Sequence, residues 1–205
     1  MADNLVKRAF ITGIAGFAGS HLAEHLLGAG YEVSGLSLPA GGTHNIDAIK
    51  GRLRLYLGDM EDTGWLRGVL ADIRPDYVFH LAAQAAVPQA WASPGPTLVN
   101  NILGQLNLIE ALLALELRPR LLIIGSADEY GLVRPDELPV RETNPLRPNN
   151  PYSVSKIAQD YLGYQYFLSH HLPIVRLRPF THIGPRQGTG FVTADFAKQI
   201  AEAEA

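Results

Sequence analysis

Ile11-Thr12-Gly13-Ile14-Ala15-Gly16-Phe17-Ala18-Gly19-Ser20 is the stretch on which the reading of the chain turns. An apolar run, Ala9-Phe10-Ile11, leads into three glycines spaced three apart, and the amphipathic pattern His21-Leu22-Ala23-Glu24-His25-Leu26-Leu27 comes next. The order is strand, tight turn, helix. Gly13 permits the turn, Gly16 lets a phosphate approach the backbone, and Gly19 lets the helix lie close to the sheet. Free N–H groups and the positive dipole end at a helix start then attract the anion. Glycines at this spacing also make ordinary turns. Set between a strand and a helix, Gly13, Ile14, Ala15, Gly16, Phe17, Ala18 and Gly19 become the candidate cradle of a dinucleotide pyrophosphate.

A chain of 205 residues can bury a full core and suits one domain or slightly more. Its 47% hydrophobic and 18% charged content is an ordinary globular balance, not a disordered one. A net charge of −3 leaves no basic footprint for nucleic acid. The seven histidines are scattered and there is no cysteine, so neither a metal site nor a disulfide framework is expected. No signal peptide and no apolar run of membrane-spanning length are read, and the expected location is cytoplasmic.

Gly30 reads as the stop of the first helix. Tyr31–Leu38 is a second strand, at whose end an acid would accept from an adenosine ribose and an arginine would suit a 2′-phosphate. Ser37 stands there, with Pro39-Ala40-Gly41-Gly42 after it, so NAD and NADP stay open. Leu53–Leu57 is a third strand ending at Gly58-Asp59. Asp59 either caps the next helix or bonds an adenine amine. Tyr77–Ala83 is a fourth strand opening into small residues, and His80 reads as a hydrogen-bonded core histidine. A loop holding Trp91 precedes one long helix, expected over 97–115 with an apolar face at Leu98, Ile102, Leu106, Ile109 and Leu113. Arg120–Ile124 is a uniformly apolar fifth strand that ends in Gly125-Ser126-Ala127-Asp128-Glu129-Tyr130-Gly131. A proline-rich excursion leads to a helix over 152–169, a sixth strand over 173–178 and a last helix from Thr193. This alternation implies an α/β fold: a Rossmann-type, doubly wound parallel sheet of about six strands, helices on both faces, and one shared cleft beyond the strand ends.

Tyr152-Ser153-Val154-Ser155-Lys156 carries the chemistry. Four residues apart on a helix, Tyr152 and Lys156 share a face. A phenol titrates near ~10, too high for acid–base work at neutral pH, and a neighbouring ammonium is expected to lower that. Ser126, at the end of the preceding strand, can bond the phenol or a substrate oxygen. A tuned tyrosine beside a nicotinamide makes a carbonyl/alcohol oxidoreductase.

These residues resemble the extended short-chain dehydrogenase/reductases that act on nucleotide sugars. The likeness runs through Thr12–Gly19, Gly58-Asp59, His80–Gln84, Asn101–Glu110, Ser126–Gly131, Tyr152–Lys156 and Arg178–Gly184. Gly125–Gly131, Arg178–Pro185 and Gly190–Ala197 look most like GDP-4-keto-6-deoxy-D-mannose reductases, with GDP-mannose 4,6-dehydratases next. The resemblance implies that Gly13, Gly16 and Gly19 hold the pyrophosphate of NAD or NADP, and Asp59 with Met60 the adenine. It puts Leu81, Ala82, Ala83, Gln84 and Asn101 along the nicotinamide ribose, with Pro179, Phe180 and His182 at the nicotinamide. Tyr152 is implied as proton donor, Lys156 as the group that binds ribose and tunes the phenol, and Ser126 as the group orienting the keto oxygen. Gln84, Ser126, Ala127, Asp128, Thr181, Phe191 and Val192 are implied to meet the substrate.

The chain also departs from the family pattern. Asp128 stands where dehydratases carry a glutamate, Ala127 where related dehydratases carry an aspartate, and Thr181 where many relatives carry an asparagine. The first two favour reduction at C4 of a GDP-linked 6-deoxy-4-keto sugar. A dehydratase or epimerase, or a non-catalytic cofactor-binding protein, are the alternatives. Asp128 and Glu129 read equally well as a solvated pair at a strand end. The reading divides the chain into a dinucleotide-binding domain over 1–180 and the start of a substrate lobe over 181–205. That lobe is expected to be incomplete, because the family continues further and the last helix ends without a capping residue. Helices 97–115 and 152–169 are expected to pair in a homodimer.

Overall fold

A computed structural model describes residues 6–204. Six parallel strands, β1 (Arg8–Thr12), β2 (Glu32–Ser37), β3 (Arg54–Leu57), β4 (Tyr77–His80), β5 (Arg120–Ile124) and β6 (Ile174–Leu177), lie in the order β3-β2-β1-β4-β5-β6. The order reverses between β1 and β4, which pair in register from Ala9↔Tyr77 to Thr12↔His80. Crevices open at such switch points beyond the carboxyl ends of the strands.

The pleat of β1 divides the core. Phe10 faces one layer with Leu66, Leu70, Leu108, Leu112 and Tyr166, whereas Ala9 and Ile11 face the other with Ile14, Ala23, Leu26 and Ile46. The first layer is covered by α2 (Thr63–Ile73), α5 (Gly104–Ala114) and α6 (Pro151–His170), the second by α1 (Phe17–Gly28). The doubly wound sheet expected from the alternating pattern is the one found.

Helix ends obey local chemistry. α1 stops in a Schellman arrangement, with Gly30 N–H on the Leu27 carbonyl, Tyr31 N–H on the Leu26 carbonyl and Gly30 at φ 81°. Asp62, not Asp59, caps α2 by accepting from Trp65 N–H at 2.9 Å. The Asp59 carboxylate instead closes a turn onto Glu61 N–H at 3.0 Å. Asn150 caps α6 by accepting from Ser153 N–H at 2.8 Å, with Pro151 at the first helical position.

The long helix expected over 97–115 is three pieces: α4 (Pro94–Leu98), a π-helical turn (Val99–Leu103) and α5, preceded by the short α3 (Val87–Ala92). A π turn inserts a residue and rotates the helix beyond it. The buried face is therefore Asn101, Gly104, Gln105, Leu108, Ile109 and Leu112, and Val99 and Leu103 are exposed. Of the expected apolar stripe, only Ile109 is fully buried.

Where β1 meets β4, Thr12 and His80 are buried together, 2.9 Å apart from Oγ1 to Nδ1, with Gln159 of α6 at 3.3 Å on Nε2. His80 is the core histidine the sequence suggests. Burial, aided by the nearby Lys156 charge, depresses its pKa from 6.5 to about 3.

This packing has two measurable consequences. A Cβ on Gly19 would lie 2.2 Å from the Gly13 carbonyl oxygen, whereas one on Gly28 meets nothing within 4 Å. Gly19→Ala is therefore expected to destabilise the fold by about 2 kcal/mol or more, and Gly28→Ala to be neutral or stabilising by up to about 1 kcal/mol, in equilibrium denaturation. Because His80 charges readily only when unfolded, the folded state loses stability as pH drops below the unfolded value toward the folded one. Measured against His80→Gln, the wild type should lose about 1.4 kcal/mol per pH unit between roughly pH 6 and 4.

Candidate active site

The glycine turn takes its shape from its neighbours. Gly13 sits at φ 72°, and its N–H donates to the Leu36 carbonyl at 2.9 Å. A Cβ there would come within 3.0 Å of the Ala82 backbone, so the first glycine makes room for the end of β4. Gly16 stands at the N-cap of α1, with no side-chain cap and no acid in the first turn. Its leading N–H groups are thus open to an anion.

A cleft of about 540 Å³ runs past this turn. Gly13, Ala15, Gly16, Ser37, Asp59, Met60, Leu81, Ala82, Ala83 and Gln84 line it, joined by Gln89, Thr97 and Asn100 from the α3–α4 region. Ten of the residues proposed for the cofactor thus lie on one wall, formed by the ends of β1 to β4. Ile14 lies in the core behind the turn, and Gly19 packs on the Gly13 carbonyl. Phe17 stacks on His182 at 5.9 Å between ring centroids, which lays the segment after Pro179 over the start of α1 beside Ala18. His21 Nε2 at 3.0 Å from the Pro185 carbonyl, and Arg186 on Glu24 at 2.7 Å, fasten the same segment.

Asn101 differs from expectation. It is fully buried, and its carboxamide is committed within the protein: Oδ1 accepts from Gln84 N–H and Asn100 Nδ2, and Nδ2 donates to the Gln84 carbonyl and to Ser155 Oγ. Four bonds fill its capacity, leaving none for a cofactor. Asn101 instead pins the Ala83–Gln84 bend to the helix that carries Lys156.

The reactive group stands one strand further along, at the end of β5. The Ser126 hydroxyl accepts from Asp128 N–H at 3.1 Å, and its influence is the one drawing the Tyr152 phenol's pKa down. Burial, then the Asp128 and Glu129 charges, push that pKa above its ordinary value. The expected lowering by Lys156 is not found. Lys156 is buried, donates to the Ile124 carbonyl at 2.8 Å, and has its ammonium 5.9 Å from the centre of the Tyr152 ring. Its own pKa falls to about 8 through burial, against the Glu129 charge that raises it.

The expectation of one shared cleft is also corrected. Ser126, Tyr152 and Lys156 do not line the hollow beside the glycine turn, and the end of β6 lines a separate one of about 550 Å³ with Tyr130, Glu142 and Asp160. Gln84 lines the first hollow, tied to Gln89 at 3.0 Å and to the Ala86 carbonyl at 2.9 Å. Ala127 is half-buried, and Asp128 and Thr181 are exposed. Phe180 stacks on Tyr130 at 6.3 Å. Phe191 and Val192 are exposed at the start of α7 (Val192–Glu204), a helix with no buried residue, and are not brought to the cleft.

Glu129 is what the sequence missed. The solvated pair breaks apart: Asp128 is exposed, whereas Glu129 is fully buried. Its carboxylate accepts from Ser126 N–H at 2.8 Å and lies 3.0 Å from Arg178 Nε, in a cluster with Asp160. The capping-box spacing from Ser126 to Glu129 was the available signal. Among the described residues no group of side chains could hold a metal ion, and no helix is long and apolar enough to cross a membrane.

The family model for GDP-mannose 4,6 dehydratase matches residues 10–205. GDP-6-deoxy-D-mannose reductase of Pseudomonas aeruginosa is 39% identical over 96% of this chain and 59% of its own length. A GDP-mannose 4,6-dehydratase of Vibrio cholerae is 35% identical over 95% of this chain and 55% of its own. The solved structure of RMD from Pseudomonas aeruginosa complexed with NADPH superposes with a TM-score of 0.79 at 36% identity, over 97% of this chain and 61% of that one. The chain thus spans somewhat over half the length of these relatives. With the Rossmann sheet, the glycine turn and the Ser126–Tyr152–Lys156 group in place, the chain belongs to the GDP-mannose 4,6-dehydratase family.

Proposed function

We propose that this chain carries the catalytic half of an NAD(P)H-dependent reductase acting on the C4 ketone of a GDP-linked 6-deoxy-4-keto sugar. The observation that carries the reading is the half-buried Tyr152 one helical turn from the buried Lys156, which bonds the strand-end carbonyl two residues before Ser126. The relative at 39% identity, a GDP-6-deoxy-D-mannose reductase, supports the same direction. So does Asp128, one methylene shorter than the glutamate of the dehydratase pattern.

The cleft suits a dinucleotide. Its acid-free helix start and glycine turn fit a pyrophosphate, with Asp59 and Met60 near the adenine and Ala82–Gln84 along the far ribose. Ser37 brings neither charge to the 2′ position, and both cofactor types occur among the solved relatives, with NADPH in one and NAD in another. When bound, such a cofactor supplies the hydride. Tyr152 supplies the proton to the ketone oxygen as it becomes an alkoxide, and solvent later restores the phenol. A phenol is protonated at neutral pH, the form a donor needs, and the raised pKa in the cofactor-free protein leaves it a weaker acid than a free phenol. Ser126 donates its hydroxyl proton to the same oxygen, while its lone pair holds Asp128 N–H.

The family name favours a second reading, 4,6-dehydration, with the exposed Asp128 carboxylate beside Ser126 as the base. Product analysis separates the two. Reduction oxidises one NAD(P)H per sugar, and dehydration of GDP-mannose leaves the cofactor balance unchanged.

We also infer a homodimer. Val99 and Leu103 on the π turn and Val154, Tyr161 and Leu168 along α6 are exposed apolar residues on the two helices expected to pair.

Tyr152→Phe should lower turnover about 10²- to 10⁴-fold with NAD(P)H affinity nearly unchanged; activity that survived the change would remove Tyr152 as the donor. In sedimentation, the wild type should run as a dimer and a Leu103→Glu, Val154→Glu variant as a monomer. Identical sedimentation of the two would set the dimer aside.

A further inference from the structure

Beneath the reactive group lies a carboxylate that the proposed chemistry does not use. Glu129 is fully buried at the end of β5, where an apolar side chain would fill the space without desolvating a charge. The surrounding structure is shaped to hold it. A Cβ on Gly125 would stand 2.2 Å from Glu129 Oε1, so the glycine before Ser126 makes room for this oxygen. That oxygen accepts from Ser126 N–H at 2.8 Å, while Ser126 Oγ accepts from Asp128 N–H at 3.1 Å. Both backbone bonds close one capping box, which leaves the serine hydroxyl proton as the group free to act.

The other oxygen, Oε2, lies 3.0 Å from Arg178 Nε but outside hydrogen-bond geometry, because that N–H points to Asp160 Oδ2 at 2.7 Å. Arg178 also reaches the Tyr130 hydroxyl and the Glu142 carbonyl. Arg176 pairs with Asp160 from β6. From α6, Lys156 bonds the Ile124 carbonyl just before Gly125, the Glu129 charge acts on both Lys156 and Tyr152, and Asp128 flanks Glu129 on its own turn. Two buried carboxyls thus share Arg178, and Glu129 is the member next to the reactive group.

We propose that Glu129 is a positioning residue of this site: it fixes Ser126 through the backbone and supplies a buried negative charge at the strand end whose last carbonyl Lys156 binds. The inference rests on the reductase reading for its chemical meaning, though not for its test. Burial, then the Asp160 carboxyl, raise the Glu129 pKa to about 7, against the Ser126 N–H bond and Arg178, which lower it. Its charge therefore develops just below the pH range in which Lys156, at about 8 with that charge acting on it, loses its proton. An ionised Glu129 also raises the Tyr152 pKa, after burial and the Asp128 charge. One carboxylate thereby holds both neighbours in their proton-bearing forms as pH rises.

The test needs no turnover. In cofactor-free protein with isotope-labelled lysine, the Lys156 side-chain signal is tracked from pH 6.5 to 10 by NMR, with Lys156→Met for assignment. Glu129→Gln keeps the acceptor for Ser126 N–H and removes only the charge. The Lys156 midpoint should then move about one unit toward lower pH, a tenfold change in its ionisation equilibrium. Asp160→Asn removes a carboxylate from the same arginine without touching Ser126, and should not move the midpoint downward. An unmoved midpoint in Glu129→Gln overturns the proposal. Should that variant fail to fold, the reciprocal measurement replaces it: the Glu129 carboxyl midpoint should rise in Lys156→Met, and an unchanged value is equally fatal. A shifted midpoint in a protein that reduces no nucleotide sugar would sink the reductase reading and leave this one standing. Turnover with an unmoved midpoint would do the reverse.

Discussion

The hydrogen bond from the buried Lys156 ammonium to the Ile124 carbonyl is the constraint on which the site depends. An ammonium out of water needs a partner, and the last carbonyl of β5 is the one it has. That bond joins the second turn of α6 to the end of a strand, and so sets Tyr152, one turn earlier, near Ser126, two residues on. Where the bond is made also decides what the lysine does to the phenol. With its proton given to the backbone and its charge weakened by burial, Lys156 does not lower the Tyr152 pKa in the cofactor-free protein.

Two further ties keep α6 in register with the cleft. Asn101 joins Gln84 to Ser155, the residue before Lys156, and Gln159 reaches His80 at the end of β4. The π turn makes the first tie. It rotates Asn101 inward and leaves Val99 and Leu103 outside, so one irregularity serves the interior of the site and an exposed apolar strip alike. Movement of α6 relative to β4 would disturb the cleft wall at Gln84 and the reactive group together.

The sheet was legible because its signals are local. Apolar runs ending in glycine or small residues mark β1, β4 and β5, and Gly13 stands where a positive φ and the close approach of Ala82 allow no side chain. The Tyr152–Lys156 pair was legible through helical spacing. What escaped depends on partners remote in the chain. Glu129 beside Asp128 reads as solvated until α6 brings Asp160 and the end of β6 brings Arg178. Asn101 reads as a ligand-facing amide until Gln84 and Ser155 use up its bonds. Asp59 and Asp62 both precede a helix, and only the backbone path selects Asp62 as its cap. An inserted π residue has no signature in apolar periodicity, so the stripe read from Leu98 to Leu113 missed the buried face.

Burial pushes every titrating group of the reactive cluster toward its neutral form: Tyr152 and Glu129 upward, Lys156 downward. Left to desolvation alone, lysine and glutamate would each shed their charge near neutral pH. At Lys156 the Glu129 charge works against this, raising the pKa while burial lowers it, and at Glu129 the Ser126 N–H bond and Arg178 do the same in the other sense. The same negative charge acts on the phenol in the opposite chemical sense, because a phenolate beside a carboxylate is disfavoured where an ammonium is favoured. In the cofactor-free protein the tyrosine is thereby a weaker acid than a free phenol and holds its proton to higher pH. The reverse direction, abstraction by phenolate, would have to overcome the Asp128 and Glu129 charges as well as burial.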